Sequence, residues 1–337
     1  MEPANDTVLE TDSKGQARCF RVLSVDGGGY LGLASAKFIA DSERHFGSRY
    51  SERFQLFCGT STGAIIALAL AFGKSGEEIV ALYRELGPRV FPHKRWFSRK
   101  LHGGKSFFVA KYSGKELREL LEASFGDTTL GDLRTNGKLV LITAFSVTNG
   151  KPRLFKTDHS PNLSRDDRLK VADVAMASAA APTFFPLVPI KWPGTEFQEL
   201  FCDGGVVANH PALLGLAEAL GELNVPPGEL KVLSLSTPRM DIGKRKLWLW
   251  RRGLWQWKNS LAPIFIDGNS AVTHEAIKRI IRGYQDVQPY YARIDLQNTD
   301  GLEMDLASPH ASGVLENIGS QKAASNDVRP LLAPFLR

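Results

Sequence analysis

Cysteine is scarce in this chain, with three in 337 residues. Cys19, Cys58 and Cys202 are odd in number and lack ligand spacing, which argues against a disulfide framework and against a zinc site. They read as buried thiols on core strands in a reducing cytoplasm. Long hydrophobic runs are also missing. The longest, Ala64–Phe72, is too short to cross a bilayer. Met1–Arg18 is polar, carries Glu2, Asp6, Glu10 and Asp12, and has no apolar centre. It therefore reads as neither a signal nor a transit peptide, and its composition predicts disorder. No repeat, low-complexity linker or clustered His/Asp/Glu pattern points to an array or a metal. What remains is a chain long enough for one large α/β domain over 19–337, with its core motifs in 20–237 and a helical extension from about 240 to 337.

Charge is the first positive signal. The net charge is +6 and the pI about 9.2, which favours anionic partners. Lys244, Arg245, Lys246, Arg251, Arg252 and Lys258 interleave with four of the six tryptophans: Trp248, Trp250, Trp255 and Trp257. Basic residues attract anionic lipid and tryptophan favours the headgroup zone, so Lys244–Lys258 reads as a membrane-docking or lid segment. An oligomer interface or a segment packed on the core suits the same composition. A second basic stretch, Arg89–Lys105, contains Pro92 and Gly103-Gly104 and reads as a loop, either simply solvated, at a lipid entrance or at a nucleotide phosphate.

Ser61 is the sharpest local feature. It sits in Gly59-Thr60-Ser61-Thr62-Gly63, between the apolar runs Phe54–Cys58 and Ala64–Phe72. That pattern predicts a strand, a strained turn and a helix, with a hydroxyl at the apex. Asp26-Gly27-Gly28-Gly29-Tyr30-Leu31-Gly32 follows a strand-like run, Cys19–Val25, and precedes a helix over 33–46. Its bare amides suit an anion, as an acyl-transfer enzyme needs for its oxyanion. Asp203-Gly204-Gly205 follows Leu200–Cys202, again at a predicted strand end. Strand ends of an open α/β sheet are where sites form, so one crevice could hold all three segments.

In that order and context, the three segments resemble the patatin-like phospholipases. Ala177–Pro186 and the Phe125–Leu133 region are similar to the family as well. The resemblance implies a three-layer α/β/α fold with a mostly parallel central sheet. It implies a Ser-Asp dyad with Ser61 as nucleophile and Asp203 as base, and an oxyanion hole from the amides of Gly27, Gly28 and Gly29. It also implies hydrolysis of membrane phospholipids at the inner face of the membrane, with no cofactor or metal. A bacterial anti-phage subgroup switched on by a cyclic di- or trinucleotide adds an expected activator. A homo-oligomer is compatible, and no nucleic acid is expected. One departure is Leu31, where many relatives carry a basic residue.

Two rival readings stay open from the residues alone. A Ser-His-Asp triad would draw its base from His210, His274 or His310, the histidines that follow the acid. Gly27–Gly32 also satisfies G-x-G-x-x-G, but the acidic residue expected about twenty positions on is unconvincing at Glu43 or Glu52. For the remainder, Lys138–Val147, Arg153–Thr157 and Leu230–Thr237 predict strands. Ser113–Glu116 predicts a capping box opening a helix to Phe125. Val171–Ala181 and Pro211–Leu220 predict helices, and Ala276–Ile281 and Val328–Leu336 are apolar enough for burial.

Overall fold

The computed structural model describes residues 19–92, 110–160, 165–239, 261–284, 287–298 and 300–337. Met1–Arg18, Lys244–Lys258 and the basic stretch Arg89–Lys105 beyond Pro92 lie outside the described residues, while Arg89 and Val90, expected in a loop, end the helix Gly76–Val90.

Eight strands among the described residues form one sheet, ordered β5-β6-β3-β2-β1-β7-β8 with β4 also paired to β3. The first three are β1 (Phe20–Val25), β2 (Leu56–Thr60) and β3 (Leu139–Ser146). β4 (Lys151–Lys156), β5 (Val188–Lys191), β6 (Gln198–Asp203), β7 (Leu230–Leu235) and β8 (Tyr290–Ile294) complete it. The block β3-β2-β1-β7-β8 is parallel throughout. Its strands read as near-continuous apolar runs because both faces are covered.

One face carries α1 (Gly32–Phe46), α2 (Thr62–Ala71), α3 (Gly76–Val90), α4 (Lys115–Phe125) and α5 (Val171–Ala179). The other carries α6 (Ala212–Ala217) and α7 (Leu261–Gly283), packed through Leu216 and Ile277. Two further helices, α8 (Pro309–Ala324) and α9 (Val328–Leu336), return to the first face. The result is the expected three-layer α/β/α arrangement. All ten residues of α2 are buried, as a helix apolar on every side requires.

Three expectations need correction. The region from about 240 onward is not a purely helical extension. Tyr290–Ile294 forms β8 and extends the sheet in register with β7 (Leu233↔Ala292). Five residues without a clean alternation gave no strand signal. Ser113 does not cap α4, whose N-cap is Gly114 in the left-handed conformation. The Ser113 hydroxyl instead donates to Glu116 and accepts the Lys115 amide. The strand ends at the crevice also do not all point the same way, because β6 runs antiparallel to β3.

That reversal positions the site. β2 occupies one edge of β3 from Leu139 to Thr143, and β4 occupies the opposite edge. β6 pairs with Ala144–Ser146, residues that β4 also contacts, so β6 must lie on the β2 edge. β2 and β6 therefore run toward each other along one line. Thr60 ends opposite Thr143 and Asp203 ends opposite Ala144, the next residue. Two strand termini far apart in sequence meet end to end.

Candidate active site

Ser61 stands at the junction of β2 and α2 with φ 54° and ψ −123°, a left-handed conformation that a non-glycine residue holds only against strain. The flanking glycines make the turn possible. A Cβ on Gly59 would collide with the Gly63 carbonyl and Ala64, and one on Gly63 would collide with the Val25 carbonyl. Close backbone packing is thus the physical reason for this spacing. The Ser61 amide donates to the Ser178 hydroxyl at 2.9 Å.

Asp203 faces it. The residue is 4% exposed. Burial pushes its carboxyl up, while contact with the Ser61 hydroxyl and the Gly205 amide pulls it back, leaving a pKa of about 6. The Gly205 amide donates to Oδ1 at 2.6 Å. The end of α5 holds the Asp203 segment in place, because its last carbonyls have no intrahelical donors. The Ala180 carbonyl accepts from the Asp203 amide at 3.0 Å, and the Ser178 carbonyl accepts from Gly204 at 3.3 Å. Ser178 therefore touches both sides of the junction.

The glycine segment closes the third side. Gly27 lies against Ser61, whose Cβ would be 3.3 Å from a Cβ placed on that glycine. Its amide is committed, donating to the Asn209 carbonyl at 3.1 Å. Among the described residues, the amides of Gly28 and Gly29 have no acceptor. The expectation of three oxyanion donors thus narrows to two. Gly29 has φ 59°, a conformation natural to glycine, and Thr237 clamps the loop by donating to the Gly27 carbonyl at 2.7 Å.

Asp26 anchors this loop from beneath. It is fully buried and paired with Arg293 of β8 at 2.6 and 3.0 Å, and with Arg239. Burial alone would raise its pKa, but Arg293 and the other neighbouring positive charges outweigh it, leaving about 2. Sequence reading placed Asp26 in the motif but gave it no partner. Arg293, Arg239 and Asn209 were not anticipated as neighbours of the site, and Ser178 fell in the family-like segment Ala177–Pro186 without a role assigned to it.

The histidines stand elsewhere. His210 is 1% exposed and both ring nitrogens are occupied. Nδ1 faces the Ser270 carbonyl, which can only accept, so in the neutral ring Nε2 accepts from the Ser234 hydroxyl at 2.8 Å. Nδ1–H then donates to the Ser270 carbonyl at 3.2 Å. Burial lowers the pKa to about 4, and the ring is neutral at pH 7. His274 bonds the Tyr291 hydroxyl at 2.9 Å, and His310 is exposed at the start of α8. None of the three reaches Ser61 in these contacts. The dinucleotide reading fails at its acid. Glu43 accepts backbone amides of Tyr50 and Gly76 inside the helical layer, and Glu52 sits in a short helical turn rather than at a strand end.

A small apolar cavity of about 30 Å³ opens beside Ser61. Gly29, Ser61 and Thr62 form its floor, and Ile65, Leu86, Val90, Phe91, Leu117 and Phe185 line its walls. Beyond the walls, Tyr112 packs on Phe91 and Phe185 with ring centres 5.3 and 5.7 Å away.

A hydroxyl at a strained elbow, a raised carboxyl, free glycine amides and a small apolar cavity thus share one crevice. The profile of the patatin-like phospholipase family matches residues 23–216, which span all three segments. The chain belongs to this family. A cGAMP-activated phospholipase from Pseudomonas aeruginosa is 39% identical over 66% of this chain and 63% of its own length. One from Escherichia coli is 35% identical over 64% of this chain and 62% of its own. Patatin-like protein 2 from Arabidopsis thaliana is 29% identical over 89% of this chain and 82% of its own. The chain therefore spans a little over three fifths of the two bacterial relatives. Among the described residues, no helix is long and apolar enough to cross a membrane.

Proposed function

We propose that this patatin-like protein hydrolyses acyl esters of membrane phospholipids through Ser61 and Asp203. The observation that carries the reading is the end-to-end meeting of β2 and β6, which sets a carboxyl of pKa about 6 against the elbow hydroxyl. A serine hydroxyl is a poor nucleophile until a base takes its proton. With its raised pKa, Asp203 is a better base than an ordinary carboxylate and is still ionised at pH 7. Ser61 Oγ attacks the acyl carbonyl as its proton passes to Asp203. The carbonyl oxygen becomes an oxyanion held by the Gly28 and Gly29 amides, each such donor contributing about 3 kcal/mol to the transition state. Collapse expels the alcohol, which takes the proton from Asp203. The acyl group stays on Ser61, against the apolar side chains beside it, until Asp203 deprotonates a water that cleaves the acyl-enzyme.

The names of the bacterial relatives support a cyclic nucleotide as activator, and the pI of about 9.2 supports work at an anionic inner membrane face. For peripheral contact through Lys244–Lys258, the support is composition alone.

The test is fatty-acid release from phosphatidylglycerol vesicles, with and without a panel of cyclic dinucleotides. Ser61→Ala and Asp203→Asn are each expected to lower turnover by about a thousandfold or more, whereas His274→Ala retains it. Release by Ser61→Ala at the parental rate would refute the reading.

A further inference from the structure

Two guanidinium groups converge beneath the glycine loop, both on the carboxylate of Asp26. Arg293 commits four of its five N–H donors: Nε goes to Asp295, Nη1 to Asp26 and Ser234, and Nη2 to Asp26. Its side chain is 6% exposed. Arg239 differs. It reaches Asp26 through Nη2 only, its side chain is 22% exposed, and its Nε and Nη1 have no partner among the described residues. Asp267 is close enough to feel its charge but makes no ion pair with it. The loop's own flank carries no cation, because Leu31 is apolar and buried.

Arg239 also stands in the right neighbourhood. It follows Thr237, which clamps Gly27 and packs against Gly28. Its main chain is tied to the end of β8 through Leu296 and Asn298. The parallel strands β1, β2, β7 and β8 all end on this side of the sheet, where Ser61 lies. An arginine pinned by a buried carboxylate, with donors left over among the described residues, is a pre-organised receptor for a phosphate.

We infer that Arg239 binds the phosphodiester of the phospholipid whose ester lies at Ser61. This rests on the hydrolase reading above and adds the residue that recognises the headgroup. The ester carbonyl sits on the Gly28 and Gly29 amides, the acyl chain lies against the apolar residues beside Ser61, and the phosphate crosses the loop to Nε and Nη1 of the guanidinium.

The discriminating quantity is the ratio of two rates: fatty-acid release from phosphatidylglycerol vesicles over hydrolysis of p-nitrophenyl butyrate, which has no phosphate. Arg239→Gln is expected to lower this ratio about tenfold, and Arg239→Lys, which keeps a point charge, to recover part of it. A control, Arg293→Gln, lowers both rates together because it loosens the whole loop. Butyrate hydrolysis by the variants shows that they fold. An unchanged ratio in Arg239→Gln overturns the inference. So does an unchanged ratio with weakened binding of a cyclic dinucleotide, which would give the phosphate site to the nucleotide. Loss of Ser61-dependent hydrolysis of both substrates in the parent would instead refute the hydrolase reading.

Discussion

Asp203 owes its chemistry to burial opposed by two donors. Desolvation favours the neutral acid, while the Ser61 hydroxyl and the Gly205 amide favour the carboxylate, and the balance falls at about 6. The base form is the active one, so kcat/KM for a soluble ester is expected to rise with pH through about 6 and then level off. A pH–rate profile on p-nitrophenyl butyrate checks this. Because His210 is neutral above about pH 4 and held by Ser234 and Ser270, its titration lies outside that limb. A rise centred near the ordinary histidine range that disappears in a His274 variant would instead restore the triad. Ser61 is held by neighbours that its own motif does not contain. Its strained backbone is steadied by an amide bond to Ser178, a residue 117 positions away.

Ser178 also shows how separate elements are tied into one site. Its hydroxyl accepts from the elbow and its carbonyl accepts from the Asp203 loop, so α5 sets the spacing of the two side chains. Ser178→Ala is expected to lower kcat about tenfold with little change in KM, since the loss is one of alignment rather than binding. Steady-state kinetics on the soluble ester measures that split, and a changed KM at constant kcat would contradict it. The elements themselves were largely legible in the sequence. Gly59–Gly63 announced the turn because close backbone approach admits only glycine there, and the apolar runs announced β1, β2, β3 and β7. Asp203 was legible as a strand end but not as an opposing strand. Direction and register are set by pairing with β3, which no local pattern encodes. β5 and β8 have only four and five residues, too few for a period to stand out. The commitment of the Gly27 amide to Asn209, and of Asp26 to an arginine 267 residues away, was invisible for the same reason.

Across the whole molecule, the buried groups around the sheet end pull the pH dependence of stability in opposite directions. Asp203 is raised from 3.8 to about 6. Between those values the folded state holds a proton that the unfolded chain releases, so stability falls as pH rises through the interval. His210 is lowered from 6.5 to about 4. There the unfolded chain holds the extra proton, so stability rises with pH over nearly the same interval. The two slopes oppose each other, and together these groups leave stability nearly flat from about pH 4 to 6.5. Asp203→Asn removes the falling contribution alone. At pH 7.5 it is expected to raise stability, by at most about 3 kcal/mol, because the parent must ionise a buried carboxyl there. The advantage should shrink as pH drops and vanish below about pH 3, where Asp203 is protonated in both states. Thermal unfolding of parent and variant across this range provides the measurement. A variant no more stable than its parent at pH 7.5 would mean that the carboxylate is better solvated than its burial implies. The same carboxylate, expensive to ionise in the folded protein, is the one the proposed reaction requires, so a stability gain coupled to lost hydrolysis would place both effects on a single atom group.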